Sequence, residues 1–400
     1  MIETAEAAIV RLHEKGGRKL AAKGWKVYNP SGKRRVVVTK ELPGDRWLKI
    51  LAQADVRVEY GTETRILKVS EIKAAIGNRC DGAIGQLTEA WGNTLFAALR
   101  KAGGTVYSNY AVGYNNVDVD AATKRRLPVG NTPGVLTEAT AEMAVALTFS
   151  AARRVPEADV YMRGGRYEGW LPTLFLGELL ARGTVGVIGA GRIGAAYAKM
   201  MVEGFKMDFI YYDIHQNRGL EKYFREYSKF LRTQGEAPVR VTRATTVEEV
   251  LKRADVVSLH PLLDETTHHL INAKRLRLMK ANAILVNAAR GPVIDEAALV
   301  AHCKQNPEFK AGLDVFEDEP KMKRGLSKLK NVVIVPHIAS ATRWTRQGMA
   351  TLAAANVAGI LRGWPVSTDP RRIPEFLEGV APRAAPSIVN ATQLGLPTLE

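Results

Sequence analysis

The chain holds seven histidines, and two of them are placed to do acid/base chemistry. His260 ends the apolar run Val256 to Leu259 and is followed by Pro261, and His337 closes the run Val332 to Val335. His13 lies in an N-terminal tail, His215 follows Asp213, His268 and His269 are adjacent in a polar stretch, and His302 sits on an amphipathic segment; these five read as solvated or structural. Two further apolar runs end in charge. Ala283 to Asn287 leads into Ala-Ala-Arg290-Gly, and Ala311 to Phe316, which carries Asp314, leads into Glu317-Asp318-Glu319-Pro320. In an open parallel sheet the C-terminal strand ends line the ligand crevice. An arginine, a histidine and a carboxylate converging there would supply a cation for a substrate anion, a proton donor, and a group that keeps the donor charged. Surface charge closing strand ends would produce the same spacing, so spacing alone leaves both readings open.

A second chemical feature has a firmer local context. Thr184-Val-Gly-Val-Ile-Gly189-Ala-Gly191-Arg192-Ile193-Gly194 sets G-x-G-x-x-G between an apolar strand and a helix predicted over Ile193 to Val202. Gly189 permits a sharp turn, Gly191 lets the backbone approach a pyrophosphate, and Gly194 lets helix and strand touch. The strand predicted over Phe209 to Tyr212 ends in Asp213, roughly 20 residues after the motif, where a carboxylate bonds a ribose 2′-hydroxyl and repels a 2′-phosphate. NAD(H) is therefore the expected cofactor, with NADP(H) accepted less well, since Arg218 lies close in sequence. Nothing in the residue pattern calls for a metal.

The elements that must position these groups follow from periodicity. Strands are predicted at Arg35 to Thr39, Val56 to Tyr60, Gly82 to Gly85 and Thr105 to Tyr110, with helices at Ser70 to Gly77, capped by Ser70, and Gly92 to Gly103. A second alternating series runs from Thr184 to His337. The alanine-rich helix Thr137 to Arg153 links the two, and another helix is predicted over Thr342 to Leu361. Leu220, Tyr223, Phe224, Tyr227, Phe230 and Leu231 recur at helical spacing, which predicts one amphipathic helix whose aromatic stripe is a packing face. The expected fold class is α/β: two doubly wound parallel-sheet domains, one flavodoxin-like and substrate-binding, one a Rossmann NAD-binding domain, with a cleft between them. Residues 25–129 with 341–400 form the first, interrupted by the second at 130–340, after an N-terminal extension 1–24; hinges are expected near Gly130 and Ser340.

Composition narrows the class. The 400 residues are 46% hydrophobic, which excludes a wholly disordered chain, and no apolar run is long enough to span a membrane. Cys80 and Cys303 belong to no paired or clustered pattern, so both read as buried apolar residues in a reducing compartment. The net charge of +16 raises the question of a polyanionic partner. The basic residues are dispersed without a long block, so neither nucleic acid nor membrane is expected as a partner. A field that steers anionic ligands is the alternative use of the surplus.

Three segments, Val-Asn287-Ala-Ala-Arg290-Gly-Pro-Val-Ile-Asp295-Glu296, Gly312-Leu-Asp314-Val-Phe-Glu-Asp-Glu319-Pro320 and Val-Pro336-His337-Ile-Ala-Ser340-Ala, resemble the signatures of the D-isomer-specific 2-hydroxyacid dehydrogenases, and Gly189 to Gly194 resembles that family's mid-chain cofactor motif. Within the family, Gly85-Gln-Leu-Thr-Glu89, Ala111 to Asp118, Gly130 to Glu138, Arg163 to Phe175 and the insertion after Asp213 resemble the plant and green-algal NADH-dependent hydroxypyruvate reductases of photorespiration. The likeness runs from Trp25 to Pro397. It implies that Arg290 binds the substrate carboxylate and polarises the C2 carbonyl, and that the amides of Val112 and Gly113 hold the same carboxylate. It implies that His337 protonates the carbonyl oxygen and that Glu319 pairs with His337 and favours its imidazolium. Asp314 would orient the nicotinamide or tune the site, and Thr137, His260 and Pro261 join Gly189, Gly191, Arg192, Ile193, Gly194 and Asp213 as cofactor contacts.

The resemblance also implies a small 2-keto acid substrate, hydroxypyruvate reduced to D-glycerate with glyoxylate to glycolate as a secondary activity, and no metal. It implies a homodimer whose exchanged surface includes Tyr167 to Phe175. Two other readings stay open: a different D-2-hydroxyacid dehydrogenase such as a glyoxylate reductase, and an NAD-sensing co-repressor relative that keeps the same Arg, Glu and His. The expected location is an organelle of a photosynthetic eukaryote, peroxisome or mitochondrion. Leu396-Pro-Thr-Leu-Glu400 does not match the Ser-Lys-Leu-type address of plant members, and Met1 to Gly24 reads as a transit-peptide remnant or a frayed helix.

Overall fold

A computed structural model describes residues 24–378 and 381–399. The expectations for the N-terminal tail, His13 included, and for Glu400 lie outside the described residues. The chain divides into two compact units, one made of the residues up to Leu136 together with those from Thr342 onward, the other of Thr137–Ala341.

The first unit is built on β1 (Trp25–Tyr28), β2 (Arg34–Val38), β3 (Val56–Gly61), β4 (Gly82–Gln86), β5 (Val106–Tyr110) and β6 (Val129–Gly130), in the order β1-β3-β2-β4-β5-β6. From β2 to β6 this is the 2-1-3-4-5 order of flavodoxin-like sheets. β1 is an antiparallel addition at the edge, paired with β3, which the sequence reading did not anticipate. Its side chains alternate between half-buried and exposed, so it lacks the continuous apolar run that marks a central strand. Val36, Val37 and Val38 of β2, by contrast, are fully buried. β6 pairs with β5 through Tyr107–Val129 and Ser108–Gly130, so Gly130 belongs to this sheet, and the division between units falls at Leu136 instead of at the expected Gly130.

The second unit carries β7 (Thr184–Ile188), β8 (Asp208–Tyr212), β9 (Val241–Arg243), β10 (Val256–Leu259), β11 (Ile284–Asn287), β12 (Lys310–Leu313) and β13 (Val332–Ile334). All pair in parallel, in the order β13-β12-β11-β10-β7-β8-β9. The order reverses between β7 and β10, the switch point at which such sheets bind ligands. Both faces are covered: the helix Thr137–Ala152 and the helix Arg192–Phe205 close one, and the helices Val247–Arg253 and Glu296–Gln305 the other. Each fully buried Val, Leu or Ile contributes about 1.5–3 kcal/mol, so these apolar runs commit the strands to the interior and push polar residues to their ends.

Local details depart from the expectations for physical reasons. The first-unit helix spans Val69–Ile76 with Lys68 at its N-cap, and Glu71 reaches back to accept from the Lys68 N–H at 2.7 Å, so Ser70 is not the cap. Of the aromatic stripe on the helix Arg218–Thr233, Leu220, Phe224 and Leu231 are buried, whereas Tyr223 and Phe230 are exposed, Phe230 at 55%. Only part of that stripe is a packing face. Cys80 and Cys303 are buried and unbridged. Among the described residues no helix is long and apolar enough to cross a membrane.

Candidate active site

The turn after β7 shows each glycine meeting a separate demand. Gly189 has φ +91°, and a Cβ there would lie 2.6 Å from the His260 carbonyl carbon and 2.7 Å from Pro261 N. A Cβ on Gly194 would run into the Gly189 carbonyl oxygen, whereas one on Gly191 would meet nothing within 4 Å. Open space at Gly191, beside the helix that begins at Arg192, leaves room for a phosphate to approach backbone N–H groups. Ile193 is half-buried and Arg192 exposed in the first turn of that helix. Asp213 follows β8, half-buried, with Oδ1 accepting from the His215 N–H at 2.8 Å. Thr137 opens the helix Thr137–Ala152 and is half-buried.

His260 lies against this turn. Its Nε2 is 2.8 Å from Ser258 Oγ and its ring 5.4 Å from that of Tyr197. Desolvation drops its pKa to about 3, so the ring is neutral at physiological pH and is not a proton donor. Of the two strand-end histidines, the geometry leaves acid chemistry to His337.

The ends of β11, β12 and β13 bring the remaining candidates together. His337 stands in a left-handed conformation, φ +53°, which turns the chain sharply after β13. Asp314 holds that turn. Fully buried, it accepts from Ile338 N at 2.6 Å and Ala339 N at 2.9 Å, and its carbonyl accepts from His337 N at 2.8 Å. This work ends β12 at Leu313, short of the expected Phe316. Burial pushes the Asp314 carboxyl pKa up, against those two backbone bonds and the charge of His337. A carboxylate so engaged fixes the turn at His337.

Glu319 Oε2 lies 2.9 Å from His337 Nδ1, and its Oε1 accepts from Phe316 N at 3.0 Å. Desolvation alone would raise its pKa, but the His337 bond and charge, the Phe316 amide and the Arg290 charge outweigh it and hold the carboxylate below the usual range. Arg290 is desolvated, which lowers its pKa, while Glu319 opposes that shift. A guanidinium stays charged under either influence. Its backbone is extended and tied to β11, with Asn287 Nδ2 donating to the Arg290 carbonyl at 2.9 Å. The arrangement can bind an anion, deliver a proton from an imidazole, and keep that imidazole oriented through its Nδ1.

A family model described as the NAD binding domain of D-isomer specific 2-hydroxyacid dehydrogenases matches residues 145–339. Glycerate dehydrogenase of Cucumis sativus is 62% identical over 372 residues, 92% of this chain and 97% of that protein. The chain belongs to the D-isomer-specific 2-hydroxyacid dehydrogenases. The peroxisomal glycerate dehydrogenase HPR of Arabidopsis thaliana is 61% identical over 374 residues, 93% of this chain and 97% of that one. Among solved structures, the TT0316 protein of Thermus thermophilus is similar with a TM-score of 0.74 and 35% identity, covering 89% of this chain and 99% of that one.

As a 2-hydroxyacid dehydrogenase the protein is an oxidoreductase with an NAD-binding domain, and the glycine turn described above fits that cofactor. The other segment expected to bind substrate lies in the first unit, after β5. Asn131 Nδ2 donates to the Val112 carbonyl at 2.9 Å and Asn109 Nδ2 to the Gly113 carbonyl at 3.0 Å. Asn116 adds bonds to the carbonyls of Gln86 and Glu89. With their carbonyls so held, the N–H groups of Val112 and Gly113 have no partner among the described residues. The sequence reading missed these three asparagines and the role of Asn287. Their one visible signal was asparagine at or just past strand ends, a residue that bonds its own neighbouring backbone.

Proposed function

We propose that this dehydrogenase reduces hydroxypyruvate to D-glycerate with NADH and, more weakly, glyoxylate to glycolate. The carrying observation is the 62% identity to Cucumis sativus glycerate dehydrogenase along nearly the whole of both chains. The Gly189–Gly194 turn would hold NADH, which when bound would supply a hydride for C2. Arg290 takes the substrate carboxylate and polarises the C2 carbonyl, binding ground state and transition state alike. Because Nδ1 of His337 is engaged by Glu319, the proton that reaches the carbonyl oxygen comes from Nε2. Glu319, held ionised, stabilises the imidazolium before transfer and fixes the ring's direction. The amides of Val112 and Gly113 take the substrate carboxylate. Asp213 favours NADH over NADPH by accepting from the ribose hydroxyls and repelling a 2′-phosphate.

The same reading includes a homodimer. Trp170 is 80% exposed and Leu179 85%, with Leu171 and Leu176 also exposed in the segment after the helix Val155–Arg163. Apolar side chains this exposed and this close in sequence fit a surface covered by a second copy. The compartment proposed is a peroxisome or mitochondrion. A spectrophotometric panel of hydroxypyruvate, glyoxylate and pyruvate with NADH and NADPH tests the assignment. The expected order of kcat/KM is hydroxypyruvate, then glyoxylate, with NADH preferred; turnover of pyruvate without hydroxypyruvate would overturn it.

A further inference from the structure

A second histidine–glutamate pair stands beside the first. His269 Nε2 lies 3.0 Å from Glu317 Oε1, with both side chains largely shielded. His269 sits in a left-handed conformation, φ +50°, in the loop after β10, and its backbone N–H donates to the Pro292 carbonyl at 2.8 Å. Pro292 is two residues past Arg290, and Glu317 two residues before Glu319. One residue therefore touches both of the loops that carry charged groups of the proposed site.

The surrounding bonds show that this is a clamp on those loops. From His269 the chain continues alongside the arginine loop: Ile271 N donates to Val293 O at 3.0 Å and Asp295 N to Ile271 O at 2.9 Å. Glu317 is locked to the same loop from its other side, its Oε2 accepting from Glu296 N at 3.2 Å and its N–H donating to Glu296 Oε2 at 2.7 Å. The buried Glu296 also accepts from Lys323 N at 2.7 Å, closing the turn that contains Glu319. Gly291 presses on the Phe316 carbonyl so closely that a Cβ there would collide with it. Lys323 Nζ, 3.6 Å from Glu317 Oε1, is the further charge at the pair.

We propose that His269 is a positioning residue for the dehydrogenase reaction, its ring bonding Glu317 and its backbone bonding Pro292 so that Arg290 and Glu319 are held in register. This rests on the roles assigned above to Arg290, Glu319 and His337. Among the described residues no hydrogen bond joins the Gly189–Gly194 turn or Asp213 to the clamp, so loosening it is expected to spare NADH binding. A shift of about 1 Å in a group that orients substrate costs on the order of 10²-fold in rate. A loosened clamp lowers rate by part of that.

The test compares His269→Ala and His269→Gln with wild type, using whichever 2-keto acid the wild type reduces best. Glutamine keeps a side-chain N–H that can reach Glu317; alanine does not. His269→Ala is expected to lose about ten-fold in kcat/KM, with KM for the keto acid raised and kcat lowered, while KM for NADH stays within about two-fold. His269→Gln is expected to recover to within about three-fold of wild type. The inference is overturned if His269→Ala keeps wild-type kcat/KM, if His269→Gln is as impaired as alanine, or if NADH affinity falls in step, which would mean general loss of structure. A wild type that fails on hydroxypyruvate yet reduces another keto acid would refute the substrate assignment, and the ratio between variants would still decide the role of His269.

Discussion

The two sheets end differently. In the second unit the strand ends carry Arg290, Glu319 and His337, charged or chargeable groups, and the carboxyl of Glu319 is held below its usual range by the other two. In the first unit the corresponding region after β5 presents backbone N–H groups, shaped by the neutral side chains of Asn109, Asn116 and Asn131. The division has a physical reason. Proton transfer and carbonyl polarisation need charges whose states can be tuned, whereas a carboxylate can be oriented by fixed dipoles that cost no desolvation of an ion. On the roles proposed above, one unit supplies chargeable groups and the other fixed dipoles.

The contrast can be broken at the charged end first. His337→Ala should lower kcat by roughly 10²-fold or more while NADH binding is retained, the usual worth of a general acid. A variant that binds NADH and turns over near the wild-type rate would remove His337 from the chemistry. Arg290→Ala should lower kcat/KM by about 10²-fold, through both KM and kcat, because its interaction is made before and during the transition state. A change in KM alone would show that Arg290 binds without polarising. At the neutral end, Asn131→Ala should raise KM for the keto acid by only a few-fold and leave kcat nearly unchanged, as expected for loss of its two side-chain hydrogen bonds, to the Val112 carbonyl and from the Ser387 hydroxyl, that shape a loop. Equal damage to kcat would erase the proposed difference between units.

The smallest effect concerns His260 and is read in stability. Its folded pKa of about 3 lies below the 6.5 of an unfolded histidine, so between those values the unfolded chain takes up a proton that the folded chain refuses. Stability therefore falls as pH drops from about 6.5 toward 3. Tm measured from about pH 7 to about pH 5 should decline more steeply in wild type than in His260→Asn, and parallel curves would show that the ring is not held neutral. Glu319 acts in the same direction, since its folded pKa is also lowered. Its depressed pKa preserves the pair with His337 through the ordinary carboxylate range, and the pair is lost only as pH falls through the lowered value.

How much of this was legible beforehand depended on how local each feature is. The glycine turn was readable because strand, turn and helix are contiguous and the steric demands fall on three nearby residues. The charges at the ends of β11, β12 and β13 were readable as candidates because long apolar runs stop at them. The exposed half of the stripe on Arg218–Thr233 was not, since helical periodicity reports a face and says nothing of how wide the surface beneath it is. The edge strand β1 and the Lys68–Glu71 cap were missed because pairing and capping partners decide them more than composition does.

By itself, then, the sequence determined the α/β alternation, the dinucleotide turn and the family, all carried by contiguous patterns. Tertiary structure alone set the two strand-end histidines apart. His260 and His337 both end apolar strands, yet one is desolvated beside Tyr197 and Ser258 and the other faces a carboxylate at 2.9 Å. It also decided that Asp314 serves the turn of His337 and that His269 bridges two loops. Proton affinity and hydrogen-bond geometry depend on what lies a few ångströms away in space, and the residues concerned are distant along the chain.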